Sequence, residues 1–379
     1  MDFTLTEEQQ LIQQNAREFA TEQVEPIAAE LDKTGRYPAE TIKKMAEMDF
    51  MGMPYPEEYG GAGADYLSYI MVVEELSKAC ASTGIIYSAH CSLGMFPIYN
   101  WGSEELKQKY LVPLCKGQKL AAFALTEPGA GTDAAAGQCT AKLDGDEYIL
   151  NGTKCFITNG GVADVYIIFA LTDPSIGIKG LSAFVVDANI SGFEIGKHED
   201  KMGIRGSQTT ELIFKNCRIP KENLIGKEGK GFGIAMTTLD GGRIGVAAQA
   251  LGIAQAALEE AIKFAKERVQ FGKPIATKQA IQWMLAEMET KIQASRLLTY
   301  QAAAAKDRGE KYSKEAAMAK MFASESADWV CNKAIQIHGG YGYIKDFKVE
   351  RLYRDAKICT LYEGTNEVQR MVIAGSLLR

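Results

Sequence analysis

Ala141-Lys142-Leu143-Asp144-Gly145-Asp146-Glu147-Tyr148-Ile149-Leu150 reads as two short strands around a tight turn. Asp-Gly suits such a turn because glycine reaches positive φ without a steric cost. Outward from it, Val165 to Leu171 is an unbroken apolar run between Asp164 and Asp173-Pro174, the pattern of a buried strand. Leu181 to Val186 and Glu211 to Phe214 read as two more strands, and Asn151-Gly152 marks a further turn. Residues 121–232 are therefore expected to form an antiparallel β domain.

Both flanks are helical. Thr6 followed by Gln9 is a capping box, and Leu11, Ile12, Ala16, Phe19, Ala20 and Val24 recur behind it at helical spacing, with an interruption expected near Pro26. Tyr66 to Ala79 is a second helix, and Tyr59-Gly60-Gly61-Ala62-Gly63-Ala64 is a loop. Beyond Phe232, Ile244, Ala247, Ala248, Leu251, Ala254, Leu258 and Ile262 repeat every three or four residues, and Ile281 to Ala304 and Ala316 to Ile337 are also helical. The expected class is multidomain α+β. A helical domain (1–120) precedes the β domain (121–232), and a four-helix-bundle-like domain (233–379) follows.

With 379 residues the chain is too long for one simple core, and 46% hydrophobic against 24% charged residues is ordinary for a globular protein. The net charge is −6 and no basic run or basic-aromatic stripe occurs, which excludes nucleic-acid binding as the main function. The eight cysteines form no C-x-x-C pair and sit among apolar neighbours, so buried free thiols are expected. Three dispersed histidines give no metal cluster. The acidic start, Met1 to Glu8, carries no targeting pattern, and no run approaches the ~20 apolar residues of a spanning helix. A cytoplasmic location is expected.

Three segments carry chemistry. Leu125-Thr126-Glu127-Pro128-Gly129-Ala130-Gly131-Thr132-Asp133 is a turn whose glycines expose backbone N–H groups to a polar ligand edge. Phe156-Ile157-Thr158-Asn159-Gly160-Gly161 places an aromatic and a hydroxyl at i and i+2, on one side of a strand. Leu361-Tyr362-Glu363-Gly364-Thr365-Asn366-Glu367 sets an acid between an apolar stretch and a glycine, where a base is held in a dry pocket. Plainer readings exist for each: a loop, a pleated threonine, and a carboxylate near the start of a last helix capped by Thr365 or Asn366.

Together, in this order and spacing, the three resemble the acyl-CoA dehydrogenase family, and the resemblance runs from Asp2-Phe3 to Arg379 without an unmatched block. It is similar to the bacterial short-chain, butyryl-CoA-type members. The resemblance implies that Glu363 removes the α-proton of an acyl thioester while hydride passes from the β-carbon to flavin N5. Carried over by position, FAD contacts fall on Phe123, Leu125, Thr126, Gly131, Thr132, Phe156, Thr158, Thr365 and Glu367. Arg268, Phe271, Gln279, Gln336, Gly339 and Gly340 match positions that reach FAD bound mainly by a neighbouring subunit, which implies a homo-oligomer, a tetramer in the butyryl-type members. Ligand contacts fall on Thr132, Asp240, Arg243, Tyr362 and Gly364.

Asp240-Gly241-Gly242-Arg243 is expected to open the helix after Gly229-Lys230-Gly231-Phe232-Gly233, a flexible lead-in rather than a phosphate loop. Gly242 matches the position where isovaleryl-type members carry their base; glycine takes no proton, which leaves Glu363. No Rossmann or Fe–S motif occurs, and the resemblance implies an electron-transfer flavoprotein as redox partner. An O₂-using acyl-CoA oxidase, a nitroalkane-oxidase-like enzyme, an acryloyl- or aryl-enoyl-CoA reductase and a scaffold without chemistry are the alternatives.

Overall fold

Thr6 starts the first helix by the expected reciprocal pair: its hydroxyl accepts the Gln9 N–H at 3.2 Å and the Gln9 side chain accepts the Thr6 N–H at 3.0 Å. The computed structural model describes residues 4–378; Met1, Asp2, Phe3 and Arg379, the ends of the acidic start and of the resemblance, lie outside them. Helix α1 (Glu7–Phe19) passes through a π-turn (Ala20–Val24) into α2 (Glu25–Thr34). Pro26 sits in the first turn of α2, directly after the π-turn, so its missing N–H falls at the expected interruption. Then come α3 (Ala39–Glu47), α4 (Tyr66–Ala79) and α5 (Ala81–Ser88). A second π-turn (Ala89–Met95) leads to α6 (Phe96–Trp101) and the short α7 (Glu104–Leu106) and α8 (Val112–Cys115). Helix α4 has the bounds its pattern predicts, but it is buried on every side from Ser68 to Ser77 because both α1 and the long helix Gly231–Glu267 pack against it. Its buried Glu74 is satisfied by Arg296 (2.9 Å) and Tyr300 (2.8 Å), and Glu75 by Arg17 (2.8 Å).

The sheet holds β1 (Ala121–Ala124), β2 (Thr140–Asp144), β3 (Glu147–Thr158), β4 (Val165–Leu171), β5 (Leu181–Asp187), β6 (Phe193–His198), β7 (Thr209–Pro220) and β8 (Leu224–Ile225), in the order β6-β7-β3-β2-β4-β5-β8 with β1 beside β4. The Asp144-Gly145 turn joins β2 to β3 with Leu143 opposite Tyr148. Most pairings are antiparallel as expected, but β1 runs parallel to β4 and β2 meets β4 parallel at Thr140↔Leu171. An apolar run does not encode the direction of its neighbour. The run in β4 is unbroken because both faces are covered: Ile167 and Phe169 pack toward the helices, Tyr166 and Ile168 into the opposite core.

Two local expectations are corrected. Asn151-Gly152 is not a turn, since β3 continues through it. Gly152 (φ 142°) lies at a register shift against β7, where a Cβ would come 2.8 Å from the Cys139 Cα, so the glycine serves close approach rather than reversal. Asp240–Arg243 does not open a helix. Helix α9 (Gly231–Glu267) begins about two and a half turns earlier, at the expected lead-in, and runs through both glycines. Each interior glycine costs about 1 kcal/mol relative to alanine, which burial offsets: every residue from Gly241 to Ala254 is buried, with α4 and the helices Gln279–Asp307, Ser313–His338 and Val349–Ile358 packed against α9.

After α9 a two-residue turn, Phe271-Gly272, joins β9 (Val269–Gln270) to β10 (Lys273–Pro274). Then α10 (Gln279–Asp307), α11 (Ser313–His338), α12 (Val349–Ile358) and α13 (Asn366–Leu377) complete the C-terminal bundle. All eight cysteines are free and buried. His90 is buried, its Nδ1 accepting the Ala121 N–H (3.0 Å), and burial pushes it down to about 4; it ties the first helical region to β1. Among the described residues no helix is long and apolar enough to cross a membrane.

Candidate active site

Helix α12 ends at Ile358, and the chain turns through Tyr362 before α13 starts at Asn366. In that turn Glu363 has φ 55° and Gly364 φ 86°. A left-handed glutamate costs about 1 kcal/mol or more, so its neighbours must hold it. Arg243 Nε donates to the Glu363 carbonyl (3.3 Å), while Gln369 Nε2 (2.8 Å) and Lys320 Nζ (2.9 Å) donate to the Gly364 carbonyl. Among the described residues nothing accepts the Glu363 backbone N–H. The helix-cap reading of Glu363 does not describe its side chain, which turns toward Gly242 of α9.

The carboxylate oxygen Oε2 is sealed from solvent and has no hydrogen-bond partner, although the residue as a whole borders a cavity. Burial pushes the Glu363 carboxyl up to about 8, against the pull of the Arg243 and Lys320 cations. A Cβ on Gly242 would overlap Oε2. Position 242 must therefore lack a side chain for Glu363 to stand where it does.

The cavity, of about 290 Å³, has three walls. The sheet supplies Phe123, Leu125, Thr126, Gly131, Thr132, Phe156 and Thr158. Helix α9 and the tail supply Met236, Leu239, Arg243, Tyr362, Glu363 and Gly364. Ile85, Ala89 and Leu93 close the third side. This last set was not read from the sequence, because its apolar residues resemble any core positions.

The loop after β1 is shaped by a buried ion pair. Lys154 Nζ contacts Glu127 at 2.7 Å and the Leu125 carbonyl at 3.1 Å; the Gln138 and Cys139 N–H groups donate to the Glu127 carboxylate at 2.6 and 3.1 Å. Gly131 then faces open space, with nothing within 4 Å of a built Cβ. Across from it, a register shift in β3 ejects Phe156 from the ladder (φ 57°), leaving the ring 65% exposed on the cavity rim. An orphan carboxylate, an open backbone cradle and a free aromatic face fit a flat, polar-edged ring system with an acyl group beside it.

Asp240 is off the wall. It accepts from Arg243 Nη1 at 2.7 Å and from Ser313, and so orients the guanidinium. Tyr362 donates to Gln249. Thr365 and Glu367 lie at the start of α13, where the Glu367 N–H and Thr365 hold the Glu367 carboxyl below its usual range; Glu367 borders a separate groove with Trp329. Lys320, Gln369, Gln249, Ser313 and Glu127 were missed as positioning groups. A lysine inside an otherwise apolar helical face was the one available signal.

One chain does not bring the remaining residues to this cavity. Arg268, Gly339 and Gly340 surround a second depression with Phe264 and His338, whose rings stack at 4.3 Å. Gln336 is in the last turn of α11, Gln279 begins α10, and Phe271 is 94% exposed at its turn. From Arg243 to Arg268 the rise along α9 is about 37 Å.

The comparisons follow the same outline. Residues 6–118, 122–217 and 229–378 match the N-terminal, middle and C-terminal domains of acyl-CoA dehydrogenase. The short-chain specific acyl-CoA dehydrogenase of Clostridium acetobutylicum is 57% identical, with all of both chains covered. The structure of butyryl-CoA dehydrogenase from Megasphaera elsdenii superposes with a TM-score of 0.99 at 51% identity, again over the whole of both chains. A solved chain from work on the electron transferring flavoprotein of Acidaminococcus fermentans and flavin-based electron bifurcation has a TM-score of 0.99 at 57% identity, all of both chains covered.

Proposed function

The chain belongs to the acyl-CoA dehydrogenase family, a flavin-dependent family, and from that premise we propose that it binds FAD and converts a short-chain, butyryl-type acyl-CoA to the trans-2-enoyl-CoA, or runs the same step in reverse, exchanging electrons with an electron-transfer flavoprotein. The observation that carries the reading is Glu363: a sealed carboxylate oxygen without a partner, on the wall of an apolar cavity.

When bound, the flavin supplies the hydride acceptor. The rest falls to this chain. The Glu363 carboxylate takes the proton from the substrate α-carbon, and burial makes that carboxylate a stronger base than an exposed one. The Glu363 backbone N–H donates to the thioester oxygen as enolate charge develops; losing one such donor typically costs about 100- to 1000-fold in rate. Arg243, braced by Asp240, and Thr132, Tyr362 and Gly364 position the thioester. Phe123, Leu125, Thr126, Gly131, Thr132, Phe156 and Thr158 would hold the ring system, the Phe156 ring excluding water, and Thr365 and Glu367, at the start of α13, would contact the cofactor outside this cavity.

Arg268, Phe271, Gln279, Gln336, Gly339 and Gly340 would complete the cofactor site of a neighbouring subunit, since about 37 Å of helix separates Arg268 from Arg243. That requires an oligomer, and the proposed form is a tetramer. The three-unit division 1–120, 121–232 and 233–379 and a cytoplasmic location belong to the same reading. The test is anaerobic addition of butyryl-CoA to the purified yellow protein. Flavin colour should bleach; colour that persists with every C3 to C8 acyl-CoA overturns the proposal.

A further inference from the structure

Lys320 lies about two turns into α11, with none of its surface exposed. A buried ammonium is costly unless compensated. Lys154, the other buried lysine near the cavity, meets that cost with the Glu127 carboxylate at 2.7 Å. Lys320 does not: among the described residues no carboxylate is within ion-pair distance. Its Nζ donates instead to two neutral oxygens, the Gly364 carbonyl and Asn366 Oδ1, each at 2.9 Å. Both acceptors lie within three residues of Glu363. Asn366 Nδ2 in turn donates to Ser324 Oγ at 3.0 Å, one turn along α11, so the clamp closes on the helix that carries the lysine.

We propose that Lys320 is a positioning residue for the base: it locks the left-handed turn that aims Glu363 at the cavity, and keeps an uncompensated positive charge behind that carboxylate. The inference rests on Glu363 being the base. The groups around the turn are Tyr66 and Tyr69 from α4, Asp240 and Arg243 from α9, and Glu325 from α11. Cys359 follows α12, Tyr362 precedes the turn and Glu367 is on α13. Arg370 on α13 pairs with Glu325 at 2.6 Å, and Arg243 and Lys320 are the cations that draw the Glu363 carboxyl down from where burial alone would hold it. Burial pushes Lys320 itself down to about 8.

The test uses K320M, which removes charge and donors, and K320Q, which keeps a donor without the charge. Two readouts are taken on the FAD-loaded protein: the anaerobic kcat and KM with butyryl-CoA, and the titration of the Glu363 carboxyl by infrared difference spectroscopy, assigned with E363Q as blank. In K320M, kcat should fall about tenfold to a hundredfold with KM nearly unchanged, as a misaimed base would give. The Glu363 titration should move up by about one pH unit. K320Q should recover much of kcat while its titration stays raised. Wild-type kcat and titration in both variants overturn the proposal. If K320M does not fold, K320Q decides, and an unmoved Glu363 titration there overturns it. The infrared readout needs no turnover, so a protein that no thioester bleaches overturns the dehydrogenase reading and leaves Lys320 to be judged separately.

Discussion

Glu127 and Glu363 are both carboxylates withdrawn from water within one site, and they differ in what surrounds their oxygens. Glu127 is saturated: an ammonium at 2.7 Å and two backbone N–H groups at 2.6 and 3.1 Å. Glu363 leaves Oε2 with nothing. A saturated buried carboxylate fixes a loop, because removing any partner strands a charge. An orphan one is held in place through its backbone, by Arg243, Gln369 and Lys320, so that its side chain stays unspent. Burial alone does not separate structure from chemistry here; hydrogen-bond satisfaction does.

The two acids would not differ in role if E363Q still worked. That variant should keep its flavin spectrum and lose anaerobic bleaching by butyryl-CoA by about 10²- to 10⁴-fold; near-wild-type stopped-flow rates would make Glu363 another structural acid. Lys154→Met should act on the other side of the contrast. It strands Glu127, and chemical denaturation should show a loss of about 3–5 kcal/mol, while protein still folded bleaches at a rate much closer to wild type.

A third measurement sharpens the distinction. The folded-state value of Glu363, about 8, lies above its ordinary 4.5, so the native state binds this proton more tightly than the unfolded chain. The stability from that proton is fully present below about 4.5 and is lost as pH rises through about 8. E363Q, which cannot ionise, should therefore match the wild type at the acid end and exceed it above pH 8, by a few kcal/mol at most. Parallel pH–melting curves for the two proteins would show that the carboxylate is not desolvated.

Much of the architecture was legible in local patterns. The Thr6–Gln9 box, the Tyr66–Ala79 helix, the Asp144-Gly145 turn and the apolar run of β4 stand where their spacing puts them. Each depends on backbone preference and hydrophobic period, which act within a few residues. Glycines were the weak point. Gly152 and Gly241-Gly242 read as punctuation, yet they sit inside a strand and a helix because other chain segments press against them, Cys139 against one and the Glu363 carboxylate against another.

The sequence by itself determined the helix–sheet–helix order and the acid at position 363, since periodicity and residue identity are local properties. Only the tertiary structure decided that Glu127 is saturated and Glu363 is not. It also decided that Lys320 closes on the turn after Glu363, and that Arg243 and Arg268 line separate cavities along one helix. Whether a buried polar group is satisfied depends on atoms brought from dozens or hundreds of residues away, and no short-range pattern records that.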